Sequence, residues 1–344
     1  MGKDKRYKSK VIVFSRPEKA EIRKGVPTVP VDENAVVIKT KYSGISRGTE
    51  MDLYHNQMHT VKGKTQWYPL IPSYEAVGEV IEVGKNVKHI RIGDRVIGPG
   101  PIDYGGDENI CIAWGGQQEY QVATSKVIDR IRKIPENVSY QEAVFAAELG
   151  GVALHGIEKV GIKGNETVLV IGQGTVGNLA AQICKMKGCR VIVSDLYDYR
   201  LEISRKVGIE ETINARREDQ AEKVKELTGG EGPDVIIETT GEGKLLLLAL
   251  DMVKINGRVH AQGMYLETIP LYIPDNMFIK NLTLSSSCGG GAEKNELMLK
   301  YISEGKIKVK PLISKIFSVN EAPLAYDYVD KHPEESVKVL LKWE

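Results

Sequence analysis

The stretch from Thr167 to Gly177 limits the fold more than any other part of the chain. Thr167 to Ile171 is an unbroken apolar run, Gly172-Gln173-Gly174-Thr175-Val176-Gly177 follows at once, and a helical apolar pattern then extends to Lys187. A second apolar strand, Val191 to Val193, leads into Ser194-Asp195. A strand that ends in GxGxxG, opens a helix and is followed by an acidic residue at the next strand end predicts a dinucleotide-binding βαβ unit. Gly172 permits the tight turn, Gly174 leaves room for a pyrophosphate against the backbone, and Gly177 lets helix and strand pack closely. Thr175 and Val176 lie in the same turn, where unpaired N–H groups and the helix dipole favour phosphate. Asp195 can accept hydrogen bonds from the adenosine ribose and repels a 2′-phosphate, so NAD is favoured over NADP. Arg200 stands near enough in sequence to soften that repulsion.

The alternation continues downstream. A helix from about Tyr199 to Val207, a polar connection through Asn214 and a helix from Gln220 to Leu227 precede the strand Val235 to Glu238. A helix from Lys244 to Val253 precedes the strand Gly257 to Ala261. Strands apolar on both faces, spaced by helices, predict a parallel sheet covered on both sides. Thr239, Thr240 and Gly263 follow strand ends, where they either flank the cofactor or serve as ordinary loop residues. Upstream of about residue 155 the chain reads as β-rich, with strands at Ala35 to Lys39 and Ala76 to Val83 and a Gly- and Pro-rich loop from Gly98 to Gly116. After about Cys288 the alternation fades, and a helix from Lys294 to Ile302 and a strand from Ser336 to Leu341 are expected to rejoin the first domain. The expected class is α/β, with a Rossmann parallel-sheet domain at 156–293 inserted into a β-rich domain made of 1–155 and 294–344.

Composition removes several alternatives. The 344 residues carry 47 Lys plus Arg against 46 Asp plus Glu, a net charge of +1, so no global positive field draws in nucleic acid. The basic start MGKDKRYKSK has no apolar segment behind it and does not read as a secretory signal. No apolar run is long enough to span a membrane; Leu245 to Leu250 is short and ends in Asp251. Cys111, Cys184, Cys189 and Cys288 form no CxxC pair, which predicts reduced thiols and a cytoplasmic setting.

An ordered series of segments resembles the medium-chain dehydrogenase/reductase superfamily, in particular its zinc alcohol dehydrogenase branch. The segments are SGISRGTE (43–50), SYEAVGEV (73–80), GDRV (93–96), AAELGGVALHG (146–156), VLVIGQGTVG (168–177), SDLYDYRLE (194–202), DVIIETTG (234–241) and GRVHAQG (257–263). The resemblance implies a GroES-like substrate domain built from both chain ends, an active-site cleft where it meets the Rossmann domain, and a homodimer or homotetramer. It places Arg47 near the cofactor pyrophosphate, Thr49 at a hydroxyl or acidic position beyond the first metal ligand, and His55 and His59 near the mouth of the cleft.

The departures concern the metal. Zinc members carry cysteine where Ser46 stands and a His-Glu pair where Tyr74-Glu75 stands; only the third ligand position, Glu148, keeps a side chain that binds zinc there. A serine is a poor zinc ligand, and a phenol with a pKa of about 10 gives up its proton reluctantly. The stretch matching the structural-zinc lobe holds only Cys111. No metal is therefore expected, with Glu75, Glu148 and a histidine such as His55 as the residual alternative set.

Hydride transfer to a carbonyl needs a proton donor or positive centre at the developing oxyanion. Tyr74 is the leading candidate, unless it only fills the space left by metal and histidine. Glu148 orients a substrate hydroxyl, tunes Tyr74 or is structural. Ser46, Thr49 and Glu50 are candidates for a proton relay or for holding hydroxyls. His155, seven residues beyond Glu148 on what reads as one helix, falls on the same face. Trp114 and Tyr120 are candidates to line the cleft. The expected enzyme is an NAD-dependent oxidoreductase acting on a secondary alcohol or ketone, including sugar- or polyol-like compounds, without catalytic zinc. The alternatives are a zinc-free alkene or quinone reductase, a redox-neutral enzyme that recycles bound NAD, and a non-catalytic NAD-binding protein.

Overall fold

A computed structural model describes residues 5–58, 68–100, 102 and 105–344. His59, the first four residues of the basic start and three positions of the Gly98–Gly116 loop lie outside the described residues. The chain divides into two compact units, one of 1–151, 291–305 and 313–344, the other of 152–290 and 306–312.

The first unit begins with a hairpin, β1 (Lys8–Arg16) and β2 (Lys19–Pro27), then β3 (Val36–Ile45) and a short helix α1 (Thr49–Tyr54). Strands β4 (Leu70–Ile71), β5 (Ala76–Val83), β6 (Arg95–Ile97), β7 (Cys111–Ile112), β8 (Tyr120–Ala123) and β9 (Arg132–Lys133) follow, before helices α2 (Tyr140–Ala147) and α3 (Leu149–Val160). The expected continuous helix through Glu148 and His155 is broken. Glu148 is the C-cap of α2 at φ −155° and ψ −55°, outside the helical region. Apolar spacing does not register such an interruption, so the two-turn alignment of Glu148 with His155 is withdrawn.

The second unit runs β10 (Thr167–Ile171), α4 (Thr175–Met186), β11 (Arg190–Asp195), α5 (Asp198–Lys206), β12 (Glu211–Asn214), α6 (Gln220–Leu227), β13 (Val235–Glu238), α7 (Gly243–Met252), β14 (Arg258–Ala261) and β15 (Thr283–Ser286). Its six strands lie in the order β12-β11-β10-β13-β14-β15, all parallel. This is the doubly wound order, reversing beside β10, where such sheets take a dinucleotide across the carboxyl ends of the strands. Leu169, Ile192, Ile213, Ile236 and Val259 are buried against Leu246, Ala249 and Leu250 of α7, which is why these strands read as continuous apolar runs. The polar connection expected before Asn214 contains β12, an edge strand whose outward residues are only half-buried.

The chain then returns through α8 (Ala292–Ser303), β16 (Ile313–Ser318), α9 (Ala322–Lys331) and β17 (Lys338–Lys342). β17 enters the sheet β16-β17-β3-β5-β6-β9 by pairing antiparallel with β3, Val339 opposite Ile45 and Lys342 opposite Tyr42. That pairing carries Lys338 to the end of β3, beside the segment that holds Ser46. No helix among the described residues is long and apolar enough to cross a membrane.

Candidate active site

In the second unit the glycine turn is set by backbone proximity. Gly172 sits at φ 90°, which favours glycine, and a Cβ there would stand 2.7 Å from Thr239 Oγ1. A Cβ on Gly177 would stand 1.9 Å from the Gly172 carbonyl oxygen, so no side chain fits. Gly174 differs: a Cβ there would meet nothing within 4 Å. It is the N-cap of α4 and brings no side chain to its first N–H groups. The turn therefore presents open space and backbone donors together, the arrangement a pyrophosphate needs. Thr175 is buried and Val176 half-buried in the first turn of α4.

Asp195 ends β11 almost fully buried. Its Oδ2 accepts the Gln173 N–H at 2.7 Å and faces Arg200 Nη1 at 3.4 Å, while Oδ1 accepts the Tyr197 N–H at 3.0 Å. A carboxylate offers about four acceptor positions, so one remains for a ribose hydroxyl. Arg200 and Arg216 both stand over the Tyr197 ring, 4.9 Å and 4.5 Å from its centre.

Thr239 supports the turn from behind, donating to the Ile171 carbonyl at 2.9 Å. Gly263 is held against Gly241, where a Cβ would stand 2.2 Å from the Gly241 nitrogen. The loop between them is organised by Glu238, which the sequence reading missed. Its buried carboxylate accepts the N–H groups of Thr240 at 2.8 Å and Gly241 at 3.1 Å, and the hydroxyls of Thr240 and Tyr265. An acidic residue closing an apolar strand just before Thr-Thr-Gly was the available signal. His155 lies in this unit with Nδ1 2.7 Å from the Gly289 carbonyl oxygen.

In the first unit, Ser46 follows β3 and Tyr74 precedes β5, and the two meet. The Tyr74 hydroxyl donates to Ser46 Oγ at 2.8 Å, with both residues buried. Burial holds the phenol well above its ordinary value, and the charge of Glu75 adds to this, so Tyr74 keeps its proton. Glu148 is close enough to contribute to the same shift. The Trp114 ring stands against Tyr74, centroids 5.3 Å apart and planes at 65°. Tyr120, the other aromatic considered for the cleft, packs instead on Tyr7 at 5.0 Å.

Behind this pair lie two buried carboxylates. Glu50 accepts the Ser46 N–H at 2.9 Å and the Tyr326 hydroxyl, and burial pushes its pKa up to about 7. With no exposed surface it anchors the Ser46 segment and cannot hold substrate hydroxyls. Glu75 faces Lys338 Nζ at 2.5 Å, both side chains fully enclosed; burial pushes the Glu75 pKa up against the opposing pull of the ammonium. Gly44 clears the space, since a Cβ there would stand 3.0 Å from Glu75 Oε2 and 2.9 Å from Val144 Cγ1.

The remaining sequence candidates have other partners. Arg47, expected near the pyrophosphate, donates through Nη1 to the Val329 carbonyl at 2.6 Å and to Ser336 Oγ at 3.1 Å. His55 pairs with Asp330 at 2.8 Å and Glu18 at 3.3 Å. Thr49 opens α1 and is half-buried.

With this geometry, comparison with known proteins places the chain. Residues 32–135 match the alcohol dehydrogenase GroES-like domain, and residues 175–304 match the zinc-binding dehydrogenase domain. The L-threonine 3-dehydrogenase of Photorhabdus laumondii is 30% identical over 333 residues, covering 93% of this chain and 95% of its own. A zinc-type alcohol dehydrogenase-like protein of Haemophilus influenzae is 28% identical over 347 residues, covering 96% and 97%. Among solved structures, a short chain alcohol dehydrogenase of Escherichia coli CFT073 complexed with NADH superposes with a TM-score of 0.83 at 26% identity, covering 97% of this chain and 99% of its own. The alcohol dehydrogenase of Thermus sp. ATN1 superposes at 0.81 with 25% identity, covering 97% and 100%. The chain belongs to the medium-chain dehydrogenase/reductase superfamily. It is an oxidoreductase with a GroES-like and a Rossmann domain, and its cofactor is a nicotinamide dinucleotide.

Proposed function

We propose that the protein moves a hydride between NAD and a secondary alcohol or ketone without a catalytic metal, its substrate oxygen held by the Ser46–Tyr74 hydroxyl pair. The 2.8 Å contact between those hydroxyls carries this reading. At the positions where zinc relatives place a thiolate and an imidazole, this chain has two neutral oxygens bonded to each other. The neighbouring Glu75 is committed to Lys338, and Tyr74 resists losing its proton. This donor set does not fit zinc, which takes sulfur, imidazole nitrogen and free carboxylate.

The nicotinamide dinucleotide supplies the hydride for carbonyl reduction and accepts it in alcohol oxidation. In reduction, Tyr74 donates to Ser46 Oγ, which leaves the Ser46 proton free to point at the substrate oxygen. The chained hydroxyls polarise one another, and a preorganised donor is worth most in a site closed to water. Glu148, whose charge acts on Tyr74, orients the substrate or takes up a proton in this reading. Asp195 favours NAD over NADP through the ribose. The unit of 1–151, 291–305 and 313–344 then forms the substrate-binding part and that of 152–290 and 306–312 the cofactor part, within the cytoplasm. These bounds lie a few residues from the expected 1–155, 294–344 and 156–293, apart from the short 306–312 segment, which joins the cofactor part.

A second copy of the chain is the proposed partner. β15 is one of the two edge strands of the six-stranded sheet, and Tyr272, Ile273, Phe278 and Ile279, just before it in the chain, are 63%, 54%, 79% and 71% exposed. Pairing two such edges would cover them, and Phe278→Asp should then yield monomers in sedimentation.

The function is tested with metal-free buffers. NADH should form from a panel of cyclic and open-chain secondary alcohols, survive chelator treatment and fall steeply in Ser46→Ala. Zinc in stoichiometric amount, or activity abolished by chelation and restored by zinc, would refute the metal-free reading. Asp195→Ala should weaken NAD relative to NADP; an unchanged preference would remove Asp195 from the ribose.

A further inference from the structure

Two residues beside the hydroxyl pair hold left-handed backbone without being glycine, Ser73 at φ 70° and Trp114 at φ 72°. Side chains seldom adopt this region, and it persists where the surroundings enforce it. For Ser73 the enforcement is local. Its buried hydroxyl donates to the Gly44 carbonyl at 2.9 Å and accepts the Glu75 N–H at 3.3 Å. For Trp114 it comes from the loop around it. The Trp114 carbonyl accepts the Ile102 N–H at 3.1 Å, and the Gly116 N–H donates to the Ser73 carbonyl at 2.6 Å. Buried glutamines complete the hold: Gln118 Nε2 donates to the Gly115 carbonyl at 2.7 Å and Gln121 Nε2 to the Gly116 carbonyl at 3.3 Å.

All of this fixes the backbone from which the indole projects. On one side it meets the Tyr74 ring at 5.3 Å. Trp114 is only half-buried, so part of the residue stays uncovered while its ring lies against Tyr74. Among the described residues, the bonds that hold this loop run through its backbone and the two glutamine side chains, not through the indole.

We propose that Trp114 is a specificity-determining wall, and that the preferred substrate is a secondary alcohol whose carbinol carbon belongs to a ring with a flat C–H face, such as a cycloalkanol, a cyclitol or a cyclic sugar. The proposal rests on the reading of Ser46 and Tyr74 as the oxygen-binding pair and adds the substrate class to it. A ring laid on an indole covers it in one rigid contact, whereas an open chain must freeze several torsions to cover the same area. Because the backbone that carries the indole is already held, less freedom of the wall is lost on binding.

Cyclohexanol and 2-hexanol, equal in carbon number, separate the cases. With NAD, Trp114→Ala should lower kcat/KM for cyclohexanol by about 10-fold, the size of one aromatic contact, mostly through KM. For 2-hexanol the loss should stay within about 3-fold, and Trp114→Phe should restore most of the preference. If Trp114→Ala does not fold, Trp114→Leu, which keeps bulk without a flat face, replaces it. Equal losses for both alcohols would overturn the proposal, as would an unchanged ratio. Binding provides a readout independent of turnover. Cyclohexanone added to the NADH complex should quench a fluorescence component present in the wild type and missing in Trp114→Phe. That quench without oxidation of any alcohol would sustain the wall and sink the dehydrogenase reading. Oxidation of both alcohols without the quench would do the reverse.

Discussion

At the carboxyl end of β10 the chain exposes backbone. Gly174 has open space where its Cβ would be, and α4 begins without a side-chain cap. At the end of β3 the chain encloses side chains instead. Ser46, Tyr74, Glu50, Glu75 and Lys338 are all buried, with Ser46 bonded to Tyr74 and Glu50, and Glu75 paired with Lys338. The first arrangement binds through groups every residue has, so only the glycine spacing must be kept. The second depends on which side chains are present, and the same architecture can exchange them for a different chemistry. In the proposed reading, a cofactor site of this kind stays recognisable while the position beside β3 is rebuilt.

The contrast predicts where the first unit is most fragile. Lys338→Met leaves Glu75 as an uncompensated buried charge and should cost about 3–5 kcal/mol in denaturant unfolding. Adding Glu75→Gln should return most of that loss. A single-variant cost below about 1 kcal/mol would mean that water reaches the pair and that the enclosed character assigned to this region is wrong.

Glu50 gives the next largest effect, with a definite sign. Its carboxyl rises from 4.5 to about 7 on folding, with burial as the main cause. The unfolded chain therefore releases this proton at a lower pH than the folded one. The contribution to stability is full below about pH 4.5 and is lost as pH rises through about 7. A shift of this size corresponds to about 3 kcal/mol. Asp52, raised to about 6, and Glu75 contribute to the same slope, so the measurement is the difference between wild type and Glu50→Gln. Parallel stability curves for the two proteins between pH 5 and 8 would show that Glu50 is solvated.

What could be read beforehand follows the same division. Strands β10, β11 and β13 carry apolar runs that reach both faces, and α6 at Gln220–Leu227 and β13 at Val235–Glu238 fall within the read boundaries. β12, β15 and β2 escaped because edge and half-exposed strands carry polar residues that mimic loops, whereas β1 was passed over despite the buried apolar run Val11 to Phe14. The break at Glu148 escaped because a C-cap is a matter of φ and ψ, not of apolar spacing. Ser46 and Tyr74 were singled out by resemblance, but their mutual bond was not. Their supports lie far along the chain: Lys338 is 263 residues from Glu75, and Tyr326 is 276 from Glu50. Only the return of β17 onto β3 brings them there.

The catalytic half of the comparison is sharpened by Tyr74→Phe. Removing one preorganised donor should lower turnover by about 10²-fold while NAD affinity changes by less than about 2-fold. Single-turnover hydride transfer and NAD titration measure the two separately. A variant that retains turnover would reduce Tyr74 to a space-filling ring and leave Ser46 or Glu148 as the donor.

The smallest effect tests the backbone half most cleanly. Gly174→Ala introduces a methyl group that meets no protein atom within 4 Å, at φ −67°, which any residue accepts. Folding should therefore be indifferent, with Tm unchanged. The methyl group would stand where the pyrophosphate approaches the turn, so NAD affinity should fall by about 10-fold, or about 1.4 kcal/mol. Gly177→Ala supplies the contrast, since its Cβ would fall 1.9 Å from the Gly172 oxygen and must disturb the turn itself. If Gly174→Ala left NAD binding intact, the open space at Gly174 would not be the pyrophosphate path. If it lowered Tm instead, that space would already be serving the fold, and the distinction between an exposed backbone site and an enclosed side-chain site would lose its basis.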